Sequence, residues 1–159
     1  MNHTRKGFTL IELLVVVAII GLIAAVVTMA LGSAKKKGED AAVQSNLHTI
    51  INQAEIFYAD NSDSYLPATA AGVAFDVAEC PTYNPLGVTM FAVDPTMAEA
   101  ITGALSSGIG SACYNSSNKW AVAVGLKQTL GTSWCVDNSG AARQVNTNPL
   151  SAINAGICQ

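Results

Sequence analysis

Residues 8–31 read FTLIELLVVVAIIGLIAAVVTMAL, and the one charge among them is Glu12. Proline is absent from the stretch. At about 1.5 Å rise per residue, about 20 apolar residues cross the roughly 30 Å hydrocarbon core of a bilayer. A helix at the surface of a small globular core keeps a polar stripe for its solvent side, and this run has none. The pattern predicts a transmembrane helix over residues 8–32. A cleaved secretory signal has an apolar region of only about 7–15 residues followed by a small-residue cleavage site. Here the run is longer, and it leads into Lys35, Lys36 and Lys37. The short leader, residues 1–7, is basic at His3, Arg5 and Lys6. The positive-inside bias keeps it in the cytoplasm and sends the rest of the chain outside, although the lysine cluster pulls the other way.

Glu12 is the anomaly. An ionised carboxylate at the middle of a membrane helix costs roughly 2.5–3.5 kcal/mol on insertion scales and less near an end, so such groups have partners. A position close enough to the interface to snorkel or take up a proton is one answer. A nearby cation is the other. A cut after Gly7 would supply one, the new α-amine of Phe8.

The string R-K-G-F-T-L-I-E, residues 5–12, followed by a long apolar helix, resembles the class III signal of type IV pilins and type II secretion pseudopilins. The resemblance implies cleavage after Gly7 by a prepilin peptidase, N-methylation of Phe8, and pairing of Glu12 with the Phe8 amine of a neighbouring subunit during assembly. It implies further partners: copies of the chain itself in a helical homopolymer, an inner-membrane assembly platform, and membrane lipid before assembly. The motif match covers about the first third of the chain. Many members carry a proline midway along this helix, whereas residues 26–30 here have none, so the resemblance implies nothing about a kinked or melted segment.

The remaining chain is one domain's worth. Lys35, Lys36 and Lys37 read as a headgroup-level anchor. Val43, Leu47, Ile50, Ala54 and Phe57 then recur at steps of three and four, with Ile51 and Tyr58 widening the stripe. Residues 33–61 are thus expected to continue the same helix as an amphipathic half, on the periplasmic side, with a soluble cover. Asn61, Ser62, Asp63 and Ser64 end it. The phrase F-Y-A-D-N-S-D-S-Y-L-P, residues 57–67, resembles the helix end of bacterial pilins and pseudopilins. Residues 62–118 read as a long variable connection holding one short helix, capped by Asp94, started by Pro95 and apolar at Met97, Ala100, Ile101, Ala104 and Leu105. In residues 119–127, Trp120, Val122, Val124 and Leu126 alternate with Ala121, Ala123 and Gly125, the mark of a half-buried strand. Residues 132–137 form a second strand, with Trp134 and Val136 on one face, and 141–145 a third, joined by a turn at Asp137, Asn138, Ser139 and Gly140. The tail to residue 159 is polar and without period. The expected fold is α+β, pilin-like: a long N-terminal helix packed on a small antiparallel meander in residues 119–159.

Four cysteines, Cys80, Cys113, Cys135 and Cys158, all fall outside the apolar helix. An even count in an exported head points to disulfides. Of the three possible pairings, Cys80–Cys113 with Cys135–Cys158 is expected, the second matching the C-terminal disulfide of many pilins. Zinc is not expected, because no two cysteines lie two to four residues apart and His48 is the one histidine left after cleavage. Asp60, Asp63, Asp76 and Glu79 form no D-x-D-x-D-G run, so calcium is not expected either. A Ser/His/acid triad has only His48 to draw on, and the chain reads as non-enzymatic, without cofactor. Loss of Arg5 and Lys6 from the 8 basic side chains leaves 6 against 11 acidic ones, no footprint for nucleic acid. Asn115, Ser116 and Ser117 fit a glycosylation sequon that chance also produces.

Two classes of function remain: a structural filament subunit, and a membrane-anchored exported binding domain. A plain anchor has no use for Glu12 beside a cleavable Gly7. Among filament proteins the paired cysteines lean towards a pilin, found first in the inner membrane and then in an extracellular fibre. A pseudopilin of a secretion or competence system, in a periplasmic pseudopilus, is the alternative; the tail lacks the acidic pattern looked for in a major one.

Overall fold

The structure is a computed structural model describing residues 7–159. The leader expected over residues 1–7 lies outside the described residues except for Gly7. By its contacts the chain forms two units, Met1–Lys35 and Lys36–Gln159.

Helix α1, Leu10–Asp60, is 51 residues long and unbroken. In the first unit its side chains are exposed on every face, as expected of a sequence with no polar stripe. Thr28 hides its polarity within the helix: its hydroxyl donates to the carbonyls of Ala24 and Ala25 at 3.1 and 3.0 Å. Such back-bonding makes a hydroxyl tolerable in an apolar surround.

In the second unit α1 is amphipathic, and Val43, Leu47, Ile50 and Ala54 are fully buried. These are four of the five residues of the predicted stripe; the fifth, Phe57, packs partly buried against the same core, as do Ile51 and Tyr58. The helix ends where the turn chemistry places it: Ser62 and Asp63 both take φ of 57°, and the Asn61 amide donates to the carbonyl of Ser64 at 2.9 Å. Tyr65 then packs its ring 4.6 Å from that of Tyr58 and 6.4 Å from that of Trp120. Its hydroxyl donates to Glu55 Oε1 at 2.9 Å.

Residues 62–118 hold more regular structure than a connection with one helix. Strand β1 is Phe75–Ala78, helix α2 is Met90–Val93, helix α3 is Pro95–Ser107 and strand β2 is Ile109–Asn115. Helix α3 is the expected one. Asp94 Oδ1 accepts from the N–H of Met97 at 2.9 Å, and its Oδ2 accepts from Gln53 of α1, also at 2.9 Å. One carboxylate thus caps α3 and ties it to α1.

Strands β3 (Trp120–Gly125), β4 (Ser133–Asp137) and β5 (Ala142–Val145) are the three predicted. With β1 and β2 they make a five-stranded antiparallel sheet in the order β1-β2-β3-β4-β5, so the meander has five strands, not three. Val122 lies opposite Cys113 on one side and Val136 on the other. One face of the sheet presents Cys113, Trp120, Val122, Val124 and Val136 to α1 and α3.

The opposite face corrects the half-buried expectation for β3, all six residues of which are buried. Ala112, Ala121, Ala123, Cys135 and Val145 form a second core with Ala152, Ile153 and Cys158. The tail read as aperiodic therefore folds over the sheet, as a 3-10 turn, Pro149–Ser151, and a small hairpin of β6 (Ile153–Asn154) and β7 (Ile157–Cys158). Small alanines let the hairpin approach closely. Gly156 turns it at φ of 77°, where a Cβ would lie 2.6 Å from the Tyr114 ring.

Candidate functional site

The chemistry-bearing end of the chain begins at Gly7. Among the described residues, an added Cβ there would meet nothing within 4 Å. Phe8 is 80% exposed. Thr9 and Glu12 then close on each other at the start of α1. The Thr9 N–H donates to Glu12 Oε2 at 2.8 Å, the Thr9 hydroxyl donates to the same oxygen at 2.7 Å, and the Glu12 N–H donates back to Thr9 Oγ1 at 3.3 Å. This is a capping box, in which Thr and Glu three apart satisfy each other's otherwise orphaned N–H groups. Glu12 Oε1 has no hydrogen bond among the described residues. The carboxylate also lies at the positive end of the helix dipole. Its charge therefore has local partners within the first turn of α1.

Sequence reasoning took Glu12 as an acid awaiting a cation and overlooked Thr9, although T-x-x-E is itself a helix-start signature. It also overlooked the roles of two acids in the head. Asp40 is buried, and its two oxygens accept the backbone N–H groups of Lys127 at 2.8 Å and Gln128 at 3.2 Å. Asp137 is buried too: Oδ2 accepts the Cys158 N–H and Oδ1 the Ser139 N–H, each at 2.8 Å. No local pattern marks Asp40, whose partners are brought close only by the fold; Asp137 reads as a turn residue, which its Ser139 bond fits, but its hold on Cys158 has no local sign.

All four cysteines are paired, Cys80 with Cys113 and Cys135 with Cys158. The first bond joins the end of the β1 segment to β2. The second fastens the C-terminal hairpin to β4, and the Arg143 guanidinium donates to the Cys158 carbonyl. His48 is exposed on α1 and lines an open groove with Gln44, Trp134 and Ala142. Among the described residues no three His, Cys, Asp or Glu side chains come together as a metal site, and Asp60, Asp63, Asp76 and Glu79 do not form one.

The described residues thus comprise a capped apolar helix start and a disulfide-bonded head. Residues 2–33 match the family described as the prokaryotic N-terminal methylation motif. Among characterised relatives, the type IV wide pilus major component of Thermus thermophilus is 40% identical over 79 residues, 50% of this chain and 60% of that protein. Core protein G of the Escherichia coli type II secretion system is 33% identical over 82 residues, 52% of this chain and 54% of that protein. The chain therefore matches little more than half the length of these curated relatives. No solved structure matches significantly. The chain carries the prokaryotic N-terminal methylation motif and, over about half its length, is similar to one type IV pilus component and one type II secretion core protein. Proteins of this kind are structural, not enzymes. Signal and apolar helix together imply a precursor held in the inner membrane.

Proposed function

We propose that this chain is a structural subunit of a type IV pilus-like filament. A prepilin peptidase cuts it after Gly7 and methylates the Phe8 amine. Subunits then leave the membrane and pack through the helix of residues 8–32, a step that an inner-membrane assembly platform would drive. The observation that carries this reading is the conjunction at the start of α1: an apolar helix exposed on every face, with one acid four residues beyond the Gly7–Phe8 peptide. Once a subunit has left the bilayer, burying that surface against like helices keeps it from water, a gain of about 25 cal/mol per Å² relative to an exposed helix. Van der Waals packing takes over inside the bundle. Glu12 then sets axial register, its free Oε1 accepting the methylated amine of the neighbouring Phe8.

Two disulfides closing a head of modest size suit a subunit exposed outside the cell, where thiols oxidise and cores are short of apolar area. They favour a pilin over a pseudopilin. Similarity to a type II secretion core protein supports the second reading, a periplasmic pseudopilus subunit. Electron microscopy of cells with and without the gene separates the two: long surface fibres that disappear on deletion are expected of a pilin, and none of a pseudopilin. Glu12→Ala should stop fibre formation while the protein still reaches the membrane. Normal fibre yield from that variant would remove the register mechanism. Gly7→Val should leave a precursor heavier by the leader, and a mass spectrum of mature length would refute cleavage at this bond.

A further inference from the structure

Three loops meet at one end of the sheet in the second unit. They are the start of β2 at Ile109, the β3–β4 turn of residues 126–132, and residues 146–150 after β5. Ile109 lies opposite Gly125, and Ser133 lies opposite Val145. Ile109, Leu126, Leu130 and Pro149 line one shallow hollow there. Helix α1 enters the head at this same end, because its first buried residue, Asp40, holds the β3–β4 turn by the N–H groups of Lys127 and Gln128.

This end face is apolar where solvent exposure would favour polar groups. Leu130 is 76% exposed, Leu150 56% and Ile109 48%. Lys36 and Lys37 stand exposed one turn ahead of Asp40. The two acids of the neighbourhood are both engaged: Asp40 with backbone, and Glu39 with Lys127 at 3.6 Å. No acid occurs in residues 126–132 or 146–150. Lys36, Lys37 and Lys127 stand against Glu39 and Asp40, so the face keeps a small positive excess, with its free cations Lys36 and Lys37 beside large apolar side chains, the chemistry that binds an anionic lipid surface by electrostatics plus shallow insertion.

We propose that this end of the head docks on the anionic phospholipid surface from which the chain emerges, with Leu130, Leu150 and Ile109 dipping into the headgroup layer and Lys36 and Lys37 against lipid phosphates. The inference rests on the membrane reading of residues 8–32. The apolar run stops at Leu31, and Lys36 follows within five residues, about 8 Å of helix. The headgroup zone on each side of the hydrocarbon is of similar depth, since a bilayer of about 30 Å core measures about 40–45 Å overall. Lys36 and Lys37 are thus placed at headgroup level by chain length alone, and the β3–β4 turn lies one helical turn beyond them. Docking would hold a waiting subunit at the bilayer surface, and extraction into a filament would have to break it.

The test uses the full chain reconstituted in vesicles of phosphatidylethanolamine with phosphatidylglycerol. An environment-sensitive fluorophore is placed at Thr129→Cys, and in a separate sample at Ser117→Cys in the β2–β3 loop at the other end of the sheet. Lipid carrying a headgroup nitroxide should quench Thr129→Cys by about half or more and leave Ser117→Cys nearly unchanged, as expected for insertion of about 5–10 Å. Lys36→Gln with Lys37→Gln should lower the ratio of docked to undocked heads by roughly 25-fold, about fivefold per lysine. Leu130→Asp should release the label in the same way. Equal quenching at both labels, or none at Thr129→Cys in protein that floats with the vesicles, would overturn the proposal. So would quenching that grows with the protein-to-lipid ratio, which would assign the face to a second copy. Failure to float would count against the membrane reading instead.

Discussion

Asp40 and Glu39 are adjacent acids on α1, and the structure predicts opposite fates for their removal. Asp40→Ala deletes the acceptor of two backbone N–H groups, those of Lys127 and Gln128, at 2.8 and 3.2 Å. Hydrogen bonds to a charged group contribute about 1.5–3 kcal/mol each, and a buried N–H left unpaired costs about 1–3 kcal/mol. The β3–β4 turn lies at the surface, so water can reach the freed groups and the low end applies, about 3 kcal/mol in all. Asp40→Asn keeps one carbonyl acceptor and should lose about half of that. Glu39→Ala removes a 3.6 Å pair with Lys127 whose side chains are 25% and 28% exposed, and such pairs contribute under about 1 kcal/mol. Urea unfolding of the full chain in non-ionic micelles, followed by Trp120 and Trp134 fluorescence, reads the difference. With a urea dependence of about 1–3 kcal/mol per M, Asp40→Ala should lower the midpoint by roughly 1–3 M and Glu39→Ala by a small fraction of that. Equal midpoints for the two variants would refute the claim that a buried carboxylate holds this turn.

Cys158→Ser should cost about 3 kcal/mol, the loop-closure value for a 23-residue separation. Amide exchange should rise in residues 149–158 first, and uniform loss across the sheet would contradict a tail that peels independently. Tyr65 should govern alkaline stability: burial, then the hydrogen bond to Glu55 and its charge, push its hydroxyl from 10.0 up to about 12. The native state keeps that proton where the unfolded chain releases it, so stability is whole below pH 10 and falls from 10 to 12, by at most about 1.4 kcal/mol per pH unit. Tyr65→Phe should flatten that slope in denaturation curves taken across the interval, and an unchanged slope would count against it. Thr9→Val should weaken the start of α1 by about 1 kcal/mol, seen as roughly fivefold faster exchange of the Glu12 amide, and should reduce fibre yield less than Glu12→Ala does.

What could be read from the chain in advance tracked the reach of each interaction. Helix α3 was legible because Asp94 and Pro95 are local start signals. Strand β3 was legible because its large residues alternate with alanine. Strand β2 was not: in IGSACYN, Ser111, Ala112 and Cys113 are all buried, and a strand covered on both faces by small residues has no alternation to detect. Strand β1 has four residues and an irregular register with β2, too short for a period. The hairpin of the tail escaped notice because two-residue strands owe their pairing to the disulfide, Asp137 and Arg143 rather than to pattern. The N-terminal motif was legible because it is a local string, residues 5–12 followed by the apolar run, and residues 2–33 match the methylation-motif family. Asp40 was beyond reach for the opposite reason, its partner lying 87 residues away.

The two oxygens of Glu12 resolve a difficulty in the filament reading. An acid that needed a neighbour's amine and had no other partner would be unstable in the membrane until that neighbour arrived, and the waiting subunit would favour protonation or expulsion. The capping box removes most of that penalty, because Oε2 accepts both donors of Thr9 at the positive end of α1. The Thr9 donors are neutral, so the capped carboxylate keeps its charge and its attraction for a cation. Oε1 has no hydrogen bond among the described residues, so a single acceptor stays available for a single cation. A subunit can therefore wait in the membrane with its charge partly satisfied and still gain from a second helix that brings an amine to the correct depth. Misplaced by one helical turn, about 5.4 Å, the amine would miss that oxygen and face apolar side chains. In the proposed filament, that mismatch is what would select the register.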